Sequence, residues 1–116
     1  MPPLPPLPPS ARETWRLLRG TEPVGEILVD EVDMPWLEGE FRPGPAWPEF
    51  APGFAECHRL AEAEDWEGWE RVYGPLEDAC TLHSPDGPVA EFMLHVEPPR
   101  ARFRFHREPF EEDRAR

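Results

Sequence analysis

Four groups of residues in this sequence have types and spacings that could do chemistry. Cys57-His58 together with Cys80-x-x-His83 match, in number and type, the ligands of a tetrahedral zinc site. The geometry opposes it: residues three apart on a strand face opposite sides, and adjacent helical residues diverge by about 100°. Buried thiols, surface histidines and no metal are therefore expected. His83, His95 and His106 share one face of a predicted sheet, with Glu91 opposite His106. A His–carboxylate pair can do general acid–base work. Arg102 and Arg104 lie on the same face, however, and no nucleophile or phosphate cradle accompanies them. Cross-strand Glu–Arg pairing on a solvated face explains the same residues. Asp30, Glu31 and Asp33 with Glu38 and Glu40 supply carboxylates enough for a divalent cation but lack the alternating ligands and central Gly of an EF-hand loop. Charge at the end of an edge strand also deters edge pairing.

The fourth group is an acidic run through the predicted helices, Glu56, Glu62, Glu64, Asp65, Glu67, Glu70, Glu77 and Asp78, most of it without a partner in sequence. Uncompensated like charge costs stability. A surface for a basic protein is the functional reading, with Glu62, Glu64, Asp65, Glu67 and Glu70 providing electrostatic steering and Met34 and Trp36 the apolar anchors.

Composition sets the frame. The chain has 116 residues, 18 of them Pro, and a net charge of −12. Lys, Asn and Gln are absent, which excludes Schiff-base chemistry, a P-loop lysine and N-glycosylation. The missing types have A-rich codons, pointing to a GC-rich, bacterial genome. The charge is uneven: Glu22 to Glu97 carries 19 acids against three Arg, while both ends are slightly basic. This balance disfavours nucleic acid, whose binding needs Lys and Arg to displace counterions. No run of about 18 apolar residues is present to span a membrane, and two Cys make no disulfide framework. A cytoplasmic protein without cofactor is expected.

The elements that must position these residues follow from periodicity. Residues 1–12 read as a disordered proline-rich tail, 13–107 as one domain, and 108–116 as a frayed end. Thr14–Arg19 and Val24–Val32 read as a hairpin, with Trp15 opposite Val29 and Leu17 opposite Ile27. A short strand at Leu37–Arg42 is expected within an irregular Pro/Gly segment that also holds Trp36 and Trp47. Phe50, Phe54, Cys57 and Ala61 fall at helical spacing, as do Trp66, Trp69, Tyr73 and Leu76. Two helices are expected rather than one bent helix, with Asp65 capping the second and Gly74-Pro75 ending it. Trp15, Trp66 and Trp69 sit at core spacing. Ser84-Pro85-Asp86-Gly87 predicts a turn that pairs Leu82 with Ala90 and Cys80 with Phe92. The next hairpin pairs Val96 with Ala101, Leu94 with Phe103 and Phe92 with Phe105. The resulting class is α+β, a single antiparallel sheet of five to six strands with two helices packed on one face, in the order ββ(β)-αα-βββ.

In size, acidity and α+β outline the chain resembles the immunity proteins of bacterial toxin systems, a resemblance of type that carries no residues over. The first functional reading is a non-enzymatic domain that acts as inhibitor or adaptor of a basic partner. The alternative is a small-ligand or catalytic domain using Glu91, His95, Arg102, Arg104 and His106. A third is a structural subunit, a homodimer joined through the outer sheet face or an edge strand.

Overall fold

The structure, a computed structural model, describes residues 13–33 and 35–106. Both expected tails and Met34 lie outside the described residues. The elements run β1 (Glu13–Arg19), β2 (Glu22–Asp33), β3 (Trp36–Pro43), α1 (Trp47–Glu62), α2 (Trp66–Ala79), β4 (Thr81–Ser84), β5 (Gly87–Pro88), β6 (Glu91–Glu97) and β7 (Arg100–His106). One antiparallel sheet of seven strands results, in the order β5-β4-β1-β2-β3-β7-β6. The seventh strand beyond the expected six is the two-residue β5.

The sheet is curled. In a flat sheet β1 and β7, three strands apart, would be separated by about 14 Å. Yet Trp15 on β1 meets Phe103 and Phe105 on β7 with ring centroids 4.8 Å apart in both pairs. Two residues between β5 and β6 join opposite edges of the sheet: Val89 N donates to Leu82 O on β4, and Ala90 N to His106 O on β7. The concave side holds Trp15, Leu17, Ile27, Leu94 and Phe103, almost fully buried, with Phe50, Phe54, Cys57 and Leu60 of α1 completing the core.

Register separates the local expectations that hold from those that fail. In β6–β7, Val96 faces Ala101, Leu94 faces Phe103 and Phe92 faces Phe105, as the alternation predicts. In β1–β2 the turn is two residues, Gly20-Thr21, with Gly20 at φ +62, a conformation that favours glycine. A bulge at Leu17/Leu18 then sets Trp15 opposite Ile27 and Leu17 opposite Gly25. The shift from the expected register is two residues, so every side chain keeps its face. The expected Leu82–Ala90 and Cys80–Phe92 pairs do not form. The turn exists, with Ser84 Oγ donating to Gly87 O and accepting from Asp86 N, but its hairpin stops after His83↔Pro88 and Ser84↔Gly87. Pro88 has no N–H to extend a ladder, and β4 pairs instead with β1, Leu82 against Leu17.

The two-helix expectation holds. Asp65 caps α2, its Oδ1 accepting from Gly68 N at 3.0 Å. Gly74-Pro75 does not end the helix, which continues to Ala79. Tertiary contacts carry it past the proline: Leu76 packs so closely on Gly53 of α1 that a Cβ there would lie 2.9 Å from it, and Glu77 is tied to β6. α2 lies over the free edge of β6. Tyr73 Oη donates to Phe92 O at 2.7 Å and accepts from Leu94 N at 3.0 Å. Glu77 Oε2 accepts from Phe92 N at 3.2 Å. Two side chains thus satisfy Phe92 N, Phe92 O and Leu94 N, groups that an exposed edge would offer to another strand.

Candidate functional site

The connection between α1 and α2 is a Schellman turn. Asp65 N donates to Leu60 O at 2.9 Å and Glu64 N to Ala61 O at 3.0 Å. Glu64 occupies the position that normally carries Gly, with φ 58. The left-handed conformation costs a residue with a Cβ about 1–2 kcal/mol. Asp65 closes one helix through its N–H and caps the next through its side chain. The turn projects Glu62, Glu64, Asp65, Glu67 and Glu70, all exposed. In their midst stands Trp66, 56% exposed, one of two large apolar side chains so exposed among the described residues. The expectation that Trp66 is core fails because it occupies the first position of α2, at the end of the apolar stripe. Trp69, three residues on, is 8% exposed and stacks on Tyr73 at 4.5 Å and 12°. Within the corner, Glu62 lies 3.5 Å from His58 Nε2, and the Asp65 carboxylate is used in capping.

Trp36 stands away from this corner, on the outer, convex face of the sheet. Arg102 lies over its ring at 4.2 Å and Arg104 at 5.8 Å, the geometry of a cation–π contact. The ring is therefore covered by the protein's own arginines. The sheet acids flanking it are also engaged. A bulge between Val29 and Glu31 turns Asp30 out of the ladder. Its two carboxylate oxygens take Arg100 Nη1 and Nη2, both at 2.8 Å. Glu31 and Glu38 reach the same guanidinium at 3.4 and 3.5 Å. Three of the five carboxylates weighed for a cation, Asp30, Glu31 and Glu38, thus surround an arginine, and Glu40 lies 3.4 Å from Arg42.

The residues of the alternative ligand face divide into two cavities, one on each side of the start of α2. Glu91, Arg104 and His106 line a cavity of about 420 Å³ against Trp69, Tyr73 and Glu77. His95 and Arg102 line another of about 410 Å³ with His58, Glu62 and Trp66. Glu91 faces His106 across β6–β7, as expected. His95 is half-buried between Trp36 and Trp69, with ring centroids at 5.7 and 6.1 Å. Burial first, then the charges of Arg102 and His58, hold its pKa below the ordinary value. Glu77 is shifted the other way, raised by burial against the stabilising Phe92 N–H.

The zinc-type residues are dispersed. Cys57 and Cys80 are buried, and desolvation pushes both thiols up to about 11. His58 pairs with Glu97 at 3.1 Å, and His83 lies on the outer face near the β1–β2 turn. Among the described residues no group of three or more His, Cys, Asp or Glu is placed to hold a metal ion.

No protein-family model, curated protein or solved structure matches this chain. The class the fold defines is α+β: one curled antiparallel sheet with two helices. No helix among the described residues is long and apolar enough to cross a membrane.

Two features of the site are absent from the expectations drawn from sequence. Glu64 had a usable signal: two helices joined through a cap at Asp65 need a left-handed residue just before it. The cavity under α2 had none, because only the tertiary placement of α2 over the β6 edge creates it.

Proposed function

We propose that this chain is a non-enzymatic binding domain, an inhibitor or adaptor of a basic protein, that docks through the α1–α2 corner. The observation that carries this is Glu64. A carboxylate is kept at a left-handed position where Gly would remove about 1 kcal/mol of strain, beside an exposed Trp66 and the free carboxylates of Glu67 and Glu70. Strain of this kind is a mark of functional sites. An exposed aromatic ringed by charge has the anatomy of a binding hot spot, the ring supplying contact area and the carboxylates steering a cationic surface toward it. Trp66 takes the anchoring role expected of Trp36, since Arg102 and Arg104 already cover the Trp36 ring; Met34, the other expected anchor, lies outside the described residues.

A homodimer formed by edge pairing is disfavoured, because Tyr73 and Glu77 occupy the β6 edge and β5 is two residues long. The test is affinity capture with the full chain, identification of the captured protein, and repetition with Glu64→Arg, Glu67→Arg and Glu70→Arg combined. Asp65 is spared because it caps α2. A basic protein held by wild type and lost by the variant supports the proposal. The same protein captured equally by both contradicts it.

A further inference from the structure

The outer face of the sheet carries a hollow where β1, β2 and β3 meet the loop after β3. Its origin is local. Opposite Leu17 and Leu18, β2 holds one residue more than β1, and a strand bends at such a bulge. The loop after β3 is laced to the bend: Gly44 N donates to Val24 O at 2.9 Å and Ala46 N to Pro23 O at 3.0 Å. Gly44 sits so close that a Cβ there would lie 2.6 Å from Pro23 O. The hollow measures about 610 Å³, more than either cavity beside α2, and shares no residue with them or with the corner.

Register places four ionisable side chains in one row across it. His83 on β4 faces Arg16 on β1, Arg16 faces Glu26 on β2, and Glu26 faces Arg42 on β3. All four line the hollow. The balance reverses that of the whole chain: 24 acids to 12 Arg overall, one acid to two Arg here. Cross-strand neighbours of opposite charge ordinarily pair. Yet Arg16 and Glu26 form no ion pair with each other or with any other described residue. Arg42 reaches Glu40 at 3.4 Å, a long contact between exposed groups. Leu18, Pro23, Pro43 and Pro45 give the hollow apolar walls beside the Gly20-Thr21 turn.

The geometry points to this hollow as a binding site for a small organic monocarboxylate with an apolar body, its carboxylate held by the guanidinium of Arg16. With His83 neutral the row carries a net charge of +1, which one carboxylate neutralises. A phosphate dianion would bring a second charge that Glu26 repels. Arg presents a carboxylate with two parallel N–H donors. Arg42 adds positive charge from the other side of Glu26, and Leu18 with the prolines covers the apolar part of the ligand. The net charge of −12 does not prevent this, because exposed charges beyond about 8 Å are screened at physiological salt. The site is independent of the corner docking proposed above.

The test titrates 4-phenylbutyrate, 4-phenylbutyramide, acetate and phenyl phosphate into ¹⁵N-labelled full-length protein. The readout is the backbone N–H resonances of Leu18, Gly20, Thr21 and Gly44, which line the hollow. Phenylbutyrate should move them saturably. The carboxamide keeps the shape and loses the charge, while acetate keeps the charge and loses the body. Each should bind roughly tenfold or more weakly. Phenyl phosphate should bind no more tightly than phenylbutyrate. Arg16→Gln changes an exposed side chain and should weaken phenylbutyrate binding at least about tenfold. Arg59→Gln on α1 lies outside the hollow and should leave binding unchanged. Resonances that do not move, or that move equally with the carboxamide or in Arg16→Gln, overturn the assignment. Acetate binding as tightly as phenylbutyrate overturns the apolar body, and tighter binding of phenyl phosphate overturns the single charge.

Discussion

Replacing Tyr73 by Phe removes one oxygen atom and should be among the most damaging small changes available in this protein. Tyr73 is 4% exposed. Its hydroxyl donates to Phe92 O and accepts from Leu94 N, both on the side of β6 that faces away from β7. The phenylalanine ring fills the same space, so hydrophobic burial is unchanged. What is lost is the pairing of two buried backbone groups. Each orphaned group costs about 1–3 kcal/mol. The combined loss should be roughly 2–4 kcal/mol, allowing for partial water entry at the open side of the neighbouring cavity. For a domain of this size, total stability is about 5–10 kcal/mol, and the melting temperature should fall by roughly 10–25 °C. Urea denaturation measures the loss, and an unchanged m value would show that the fold itself is retained. The Leu94 amide should also exchange with solvent faster than in wild type, because its acceptor is gone. A loss below about 1 kcal/mol, with Leu94 exchange unaltered, would refute the role assigned to α2 as the cover of the β6 edge.

Three further outcomes follow from the same geometry. Glu64→Gly should stabilise the protein by about 0.5–1 kcal/mol, because Gly relieves the left-handed position at some entropic cost, and should weaken partner binding; destabilisation in urea would contradict the strain at Glu64. Arg100→Ala removes the bidentate partner of the Asp30 carboxylate, 9% exposed, and should cost about 1–2 kcal/mol, screened by solvent because Arg100 itself is 38% exposed. The double change Arg100→Ala with Asp30→Ala should recover part of that loss, and an additive result would remove the coupling. His95 has a folded-state pKa below its ordinary 6.5, chiefly through burial. The folded state therefore binds fewer protons than the unfolded state, so stability is full above about pH 6.5 and declines as the pH falls from there through the folded value. His95→Gln should abolish that part of the slope, and a wild-type stability that rises on acidification through this window would reverse the assignment.

The parts of the fold that could be read in advance are those set by local period and turn chemistry. Phe92, Leu94 and Val96 alternate without interruption, and their pairing with Ala101, Phe103 and Phe105 is correct to the residue. The first hairpin is displaced by two because a bulge at Leu17/Leu18 is not encoded in any alternation of residue types. β4 pairs with β1 across more than sixty residues of sequence, a partner that local pattern does not reveal while the Ser84–Gly87 turn offers a nearer one. At the site, the acids between Glu62 and Glu70 are exposed, as their lack of partners in sequence predicts. Trp66 is exposed although it continues the apolar period, because periodicity alone does not say where an apolar stripe stops being covered. The outer-face set of Glu91, Arg104 and His106 does come together, but α2 supplies the aromatic wall that makes it a cavity. Nothing in the sequence of α2 specifies that it lies over a strand edge, since Tyr73 and Glu77 act through backbone groups, which carry no residue code.

The most direct measurement is the association rate of the captured basic partner with wild-type protein and with the Glu64→Arg, Glu67→Arg, Glu70→Arg variant, followed across ionic strength. Docking through the corner predicts that the wild-type rate falls steeply with salt and that the variant is roughly tenfold or more slower at low salt, with little salt dependence left. Equal rates for the two proteins, with equal dependence on salt, would contradict the assignment of the α1–α2 corner as the binding surface.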